Sequence, residues 1–258
     1  MFTSDTPISE FIPFSSHVSP TVIKTRDGDY LLSWHLEGLP FVGREEWEIE
    51  HRHNTFNRLL QTLRAPDFVN VAFWVHDIRR RRRINVKSQF HHRFNQEMSD
   101  AYYGALSSQK IMQNDLYMTM IYRPVVGGKR FVEKSTDHAK LKAEEEQAIT
   151  KLMELAGNVE AVIKDYSPYR LGMYEGANGV VFSETLEFLG YVLNRIEEPV
   201  PVLHAPIYNY LPVSRHMFSA KSGDFVVTTP NGVNHYGAIL NVKEYCDGTY
   251  PGILNGLK

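Results

Sequence analysis

The order of apolar and turn-forming segments predicts an α+β protein, mostly antiparallel sheet with helices packed on one face. Three observations carry that expectation. Residues 21–25 and 30–36 are rich in β-branched, aromatic and aliphatic side chains, and Arg26-Asp27-Gly28-Asp29 between them supplies a hairpin turn in which Gly28 can take a positive φ. Residues 136 to 166 place Ile149, Leu152, Met153, Ala156, Val159 and Ile163 at helical spacing, with charged residues between them. The C-terminal third is rich in strand-forming segments and punctuated by prolines, which breaks the strict strand–helix alternation that a doubly wound parallel fold requires.

The remaining elements follow in order. Residues 44–65 read as a helix, with Glu45 and Glu46 in the first turn, where the helix dipole favours acids, Phe56, Leu59, Leu60 and Leu63 on one face, and Pro66 as its stop. Residues 68–78 form a strand built on Val69, Val71, Phe73, Trp74 and Val75, with its end marked by a run of arginines. Residues 92–106 are weakly helical. Residues 116–122 are apolar enough for an interior strand, broken by Pro124 and Gly127-Gly128. Gly157-Asn158 marks a kink or split in the long helix. Short strands at 171–174 and 179–182 surround a glycine-rich turn, and Ser183 caps a helix reaching Ile196 whose apolar face is Leu186, Leu189, Leu193 and Ile196. Pro199, Pro201, Pro206 and Pro212 make an extended connector, followed by strands near 213–218, 224–228 and 236–244, the last two turned by Pro230-Asn231-Gly232.

At 258 residues the chain is either one domain over 1–258 with two lobes, 1–130 and 131–258, or two small domains. Its 43% hydrophobic content supports a core and excludes a disordered chain. A net charge of −2 gives no global attraction for nucleic acid or acidic lipid, so such a role needs a local patch. Cys246 is the only cysteine, which excludes an internal disulfide and a multi-cysteine zinc site and fits a reducing compartment. The start, MFTSDTPISEF, lacks the basic and apolar regions of a secretory signal, and no apolar run is long enough to span a bilayer. A soluble, cytoplasmic protein is expected, one that could still dock peripherally on a membrane complex through a surface patch.

The segment FIPFSSHVSPTVIKTRDGDYLLSWHLEG, residues 11–38, resembles the opening of the large ATPases of type IV secretion and conjugal transfer, the CagE/TrbE/VirB family, in which PFSSHV leads into IKTRDGDYL. The blocks NDLYMTMIYRPVVG (114–127), FLGYVLN (188–194) and YPGILNGL (250–257) are similar to later blocks of the same N-terminal region, in the same order. The resemblance covers nearly the whole chain. It implies that a nucleotide-hydrolysing domain, with its ATP and Mg, follows beyond Lys258 and that no cofactor belongs to this segment. It also implies inner-membrane subunits of the secretion channel as partners, self-association through the full-length ATPase, and a cytoplasmic location at the inner membrane.

Catalytic motifs are incomplete. A P-loop needs GxxxxGK[ST] so that backbone amides surround the phosphates; Gly128-Lys129 is the nearest approach, with Arg123 at the first glycine position and Arg130 in place of the hydroxyl residue. Gly172, Gly176 and Gly179 do not form GxGxxG. His51 and His53, two apart on a helix, point to different sides, and His91, His92, His204, His216 and His235 show no ligand spacing. Ser222-Gly223-Asp224 is not a nucleophile elbow, and Cys246 has no basic neighbour to activate it. Asp27 with Asp29, and Glu144 to Glu146, read as a turn and a solvated helix face.

The sharpest charge feature is Arg79, Arg80, Arg81, Arg82 and Arg83, with Lys87 and Arg93 nearby and Phe90 and Phe94 close in sequence. Such a run can attract phosphates or anionic lipid, contact an acidic partner, or blunt a sheet edge. The leading expectation is a non-catalytic scaffold or docking domain of a secretion ATPase, with these arginines as candidate docking or anion-binding residues. The alternatives are a nucleic-acid-binding module using the same run, prompted by the DNA cargo of conjugation, and a hydrolase or metal enzyme prompted only by the histidines and the Ser222 turn.

Overall fold

The first three strands, β1 (Phe14–Ser19), β2 (Val22–Thr25) and β3 (Tyr30–Leu36), form an antiparallel meander. Its second turn needs Gly28, which sits at φ +83° and donates its N–H to the Thr25 carbonyl at 3.2 Å, while Thr25 Oγ1 accepts from the Asp29 N–H at 3.0 Å. The expected hairpin is present, and β1 extends it by a strand that the polar FSSHVS stretch did not announce. The computed structural model describes residues 6–38, 43–62, 65–82, 88–107, 109, 111–124, 138–219, 222–240, 248 and 250–251. Leu63, Arg83, Lys87, the 127–130 glycine turn, Thr136, Cys246, the 241–244 end of the last expected strand and most of the 250–257 block lie outside those residues, as do the side chains of Leu59 and Arg82.

Helix α1 (Glu46–Thr62) leads to β4 (Val71–Arg82), and α2 (Arg93–Ser107) leads to β5 (Ile111–Tyr122). The long α3 (His138–Ile163) is followed by β6 (Pro168–Arg170), which joins β3. The central sheet runs β1-β2-β3-β5-β4 with β6 also on β3, and every pairing is antiparallel. β5 is interior, as its composition indicated. The arginines do not end β4: the strand continues through them to Arg82, each paired with a residue of β5. Ladder hydrogen bonds are made by backbone, so a cationic side chain on an edge strand costs them nothing and discourages edge-to-edge association.

Two cores lie on opposite faces of this sheet. Leu32, Trp34, Leu36, Met118 and Met120 pack with Leu152, Leu155 and Val159 of α3. Leu31, Ile78 and Ile121 pack with Leu186, Phe188 and Leu189 of α4 (Glu184–Asn194) and Ile207 of the short α5 (Ile207–Tyr210). The α+β class and the mostly antiparallel sheet hold, but helices cover both faces rather than the single face expected. The reason lies in residues 30–34 of β3 and 116–122 of β5, whose side chains are apolar or aromatic on both sides or are small hydroxyls satisfied by each other: Ser33 and Thr119, both fully buried, bond at 2.8 Å. α3 runs unbroken through Gly157-Asn158, since fully buried Leu155, Ala156 and Val159 around it outweigh the roughly 1 kcal/mol that a helical glycine costs. On α1, Phe56 packs toward the core beside Tyr166, whereas Leu60 is exposed.

Between α3 and α4, β7 (Met173–Glu175) and β8 (Val181–Ser183) form a two-stranded hairpin, and Ser183 Oγ caps α4 by accepting the Leu186 N–H at 3.2 Å. β9 (Arg215–Phe218), β10 (Asp224–Thr228) and β11 (Asn234–Ala238) make a third sheet in the order β11-β10-β9. Asn194 ties it to α4: its Nδ2 donates to the Leu211 carbonyl at 2.8 Å and its Oδ1 accepts from the N–H groups of Val213 and Ser214. Among the described residues no helix is long and apolar enough to cross a membrane.

His17 on β1 gives the fold a pH dependence. Burial disfavours its charged form and outweighs the backbone groups of Ser19 and Val22, so its pKa is lowered from 6.5; burial, then the charge of Arg195, lowers that of His76 as well. Both groups bind more proton in the unfolded chain, so their contribution to stability is complete above 6.5 and is lost as pH falls through that value toward the lowered folded pKa. The melting temperature is expected to drop between about pH 7.5 and about pH 5.5, and His17→Leu to flatten that slope. An unchanged slope in the variant removes His17 as its source.

Candidate functional site

Alternation along β4 divides the arginine run. Arg80 shares the α4 face with Ile78, and Arg79 and Arg81 share the opposite face with Phe73. Arg79 and Arg81 are exposed to solvent, while the Arg80 side chain, 11% exposed, turns inward. Its Nε lies 2.9 Å from Asp115 Oδ2, an ion pair by distance rather than an aligned hydrogen bond. Nη1 donates to Glu197 Oε1 at 2.7 Å and Nη2 to the Tyr117 hydroxyl at 3.1 Å. The guanidinium carbon sits 4.6 Å from the centre of the Tyr191 ring, and Tyr117 in turn stacks on Phe188 at 4.3 Å. Burial works against the charge on Arg80, but Tyr117, Asp115 and Glu197 together prevail and raise its pKa. Burial likewise raises the Tyr117 pKa against the opposing pull of Arg80.

These groups form the floor of a cleft of about 510 Å³ between the sheet and α4. Five carboxylates border it, those of Asp115, Glu184, Glu187, Glu197 and Glu198, against the single guanidinium of Arg80. Asp115 Oδ1 also accepts from Gln113 at 2.9 Å and lies 3.9 Å from His35 Nε2. Glu184 accepts from the Tyr169 hydroxyl and the Gly172 N–H, each at 3.0 Å. Glu187 accepts from the Tyr174 hydroxyl at 2.6 Å, and that hydrogen bond is the main reason the Tyr174 pKa is pushed up to about 12. The cleft is therefore negative, and its one arginine is committed to carboxylates. A phosphate would meet repulsion there.

The structure thus separates the predicted candidates. Arg80 is part of a structural network, Arg79 and Arg81 remain outward on the edge strand, and the Arg82 side chain and Arg83 lie outside the described residues. The histidines do not converge. His51 and His53 lie on α1, His91 and His92 precede α2, and His216 and His235 share a face of the third sheet with Val227 between them. His216 Nε2 bonds to the Leu193 carbonyl at 2.8 Å. Among the described residues no group of three His, Cys, Asp or Glu could hold a metal ion. Sequence reasoning missed the partners of Arg80, because Glu197 lies 117 residues away and nothing local marks it. It also missed the bidentate Arg123–Asp29 pair, with Nη2 at 3.0 Å and Nε at 3.1 Å, which ties β5's end to the hairpin turn.

Residues 21–129 match the family model described as the type IV secretion system ATPase VirB4/TrbE, N-terminal domain, and residues 169–258 match that of the CagE, TrbE, VirB family, component of type IV transporter system. The chain is 34% identical, over an alignment 259 positions long, to the type IV secretion system protein virB4 of Brucella suis biovar 1, covering 97% of this chain and 30% of that protein. It is 27% identical to PtlC of Bordetella pertussis, with the same coverage, and 26% identical to virB4 of Bartonella quintana, covering 96% of this chain and 31% of the relative. The chain spans about 30% of the length of the curated relatives it matches first. The two models together cover most of the chain, which belongs to the VirB4/TrbE family of type IV secretion ATPases and corresponds to its N-terminal region.

Proposed function

We propose that this region is a non-catalytic scaffold and docking domain of a type IV secretion ATPase, linking the motor to inner-membrane components of the channel. The observation that carries the reading is the match of residues 21–129 to a model named for the N-terminal domain of that ATPase. The geometry supports it, since the conspicuous charged residue Arg80 is spent on holding β4, β5 and the α4 connector together rather than on a reacting group. On this reading ATP and Mg belong to a motor region elsewhere in the polypeptide, the assembled ATPase self-associates, and the domain sits at the cytoplasmic face of the inner membrane. Residues 1–258 act as one assembly unit on this reading, since both cores combine residues from before and after position 130. Arg79 and Arg81 are the outward arginines, among the described side chains, available to an acidic partner.

The test is nucleotide turnover by the purified 1–258 region. No ATP hydrolysis above buffer is expected, and saturable turnover that survives repurification contradicts the non-catalytic reading. A salt titration with single- and double-stranded DNA separates docking from nucleic-acid binding. Binding that weakens steeply with salt and is lost when Arg79 and Arg81 become alanine favours the nucleic-acid alternative, and a flat titration at low salt eliminates it.

A further inference from the structure

The third sheet has one face docked in part, with Phe218 at its edge still 67% exposed, and one face bare. On the docked face Val227 is buried and His216 reaches the Leu193 carbonyl. Phe225 on this face lies so close to Gly237 that a β-carbon there would clash with its ring. On the opposite face the register aligns Met217, Val226 and Tyr236 in one row across all three strands. Tyr236 is 80% exposed and Met217 51%. One flanking row is polar, Arg215, Thr228 and Asn234, and the other sets Asp224 opposite Ala238. Ile239 and Leu240, which follow β11, are 65% and 90% exposed. An apolar centre with an aromatic anchor inside a polar rim is the anatomy of an interface rather than of a solvated face.

We propose that, in the full-length polypeptide, this face is covered by the chain that follows the N-terminal region, so that Met217, Val226 and Tyr236 form the seat of the motor part on its platform. The inference rests on the functional reading above. Two observations select this occupant over a separate protein. The curated relatives extend over about three times this length, since 97% of this chain accounts for 30% of theirs. The apolar surface also continues past β11 through exposed Ile239 and Leu240, on the side from which the chain proceeds. The occupant is expected to present aliphatic or aromatic side chains to the central row and polar groups to Arg215 and Asp224.

The experiment uses the full-length protein with Cys246→Ser, carrying in turn Met217→Cys, Tyr236→Cys, or Asn178→Cys in the exposed β7–β8 turn as a folded reference, and measures maleimide labelling rates at each introduced site by peptide mass spectrometry over a range of protein concentrations. Labelling at 217 and 236 is expected to be roughly tenfold slower than at 178 or more, independent of concentration, because the reagent must wait for the covering part to open. Rates equal to the reference overturn the proposal. Protection that vanishes on dilution also overturns it, since the occupant is then a second copy. A full-length chain without a nucleotide-hydrolysing region defeats the functional reading, whereas one that has that region but labels fast defeats only this inference.

Discussion

Asp115→Ala is expected to destabilise the fold by about 3–5 kcal/mol, because it strands a buried guanidinium whose desolvation nothing else fully offsets. Asp115 is 4% exposed at its side chain and Arg80 11%, so solvent cannot replace the lost partner cheaply. Glu197→Ala, by contrast, removes a partner that is 56% exposed, and its cost is expected to be no more than about 1 kcal/mol. Replacing Arg80 and Asp115 together by Met and Leu is expected to recover most of the loss, since neither charge is then left unpaired. Denaturant midpoints of the three variants test this ordering. An Asp115→Ala protein as stable as its parent shows that Arg80 finds water or another carboxylate, and the cleft is then looser than its geometry indicates.

Trp34→Ala is expected to cost about 3–5 kcal/mol as well, by cavity formation. The indole is fully buried between β5 and α3, and its Nε1 donates to Glu160 Oε1 at 2.5 Å. The same carboxylate oxygen accepts from Arg170 Nη2 at 2.7 Å, so the substitution removes core volume and loosens the link from α3 to β6. Trp34→Phe keeps most of the volume and loses the hydrogen bond; it is expected to fall between alanine and the parent. A loss for alanine no greater than that for phenylalanine shows that the hydrogen bond, not packing, holds this region.

What the sequence disclosed follows from how local each signal is. The hairpin at 22–36 depends on one turn and two short apolar runs, and Gly28 alone identifies the turn. The Ser183 cap and the α3 stripe are likewise contained within a few turns of chain. The extension of β4 through the arginines was hidden because backbone pairing with residues 111–114 is indifferent to side-chain charge. The cover on the second face of the sheet was hidden because it depends on where α4 and α5, far along the chain, fold back. The candidate site was the least visible part. Five arginines read as one patch on paper, yet strand alternation sends Arg80 to the opposite side from Arg79 and Arg81, among carboxylates from β5, α4 and the connector.

The most direct measurement is isolation of inner-membrane channel subunits with the full-length ATPase and with the same protein lacking residues 1–258. The expected result is that the intact protein brings the subunits with it, while the truncated protein loses them and keeps its nucleotide turnover. Channel subunits retained by the truncated protein, or turnover lost with the N-terminal region and found in it alone, would contradict the assignment of docking to this region and chemistry to the rest.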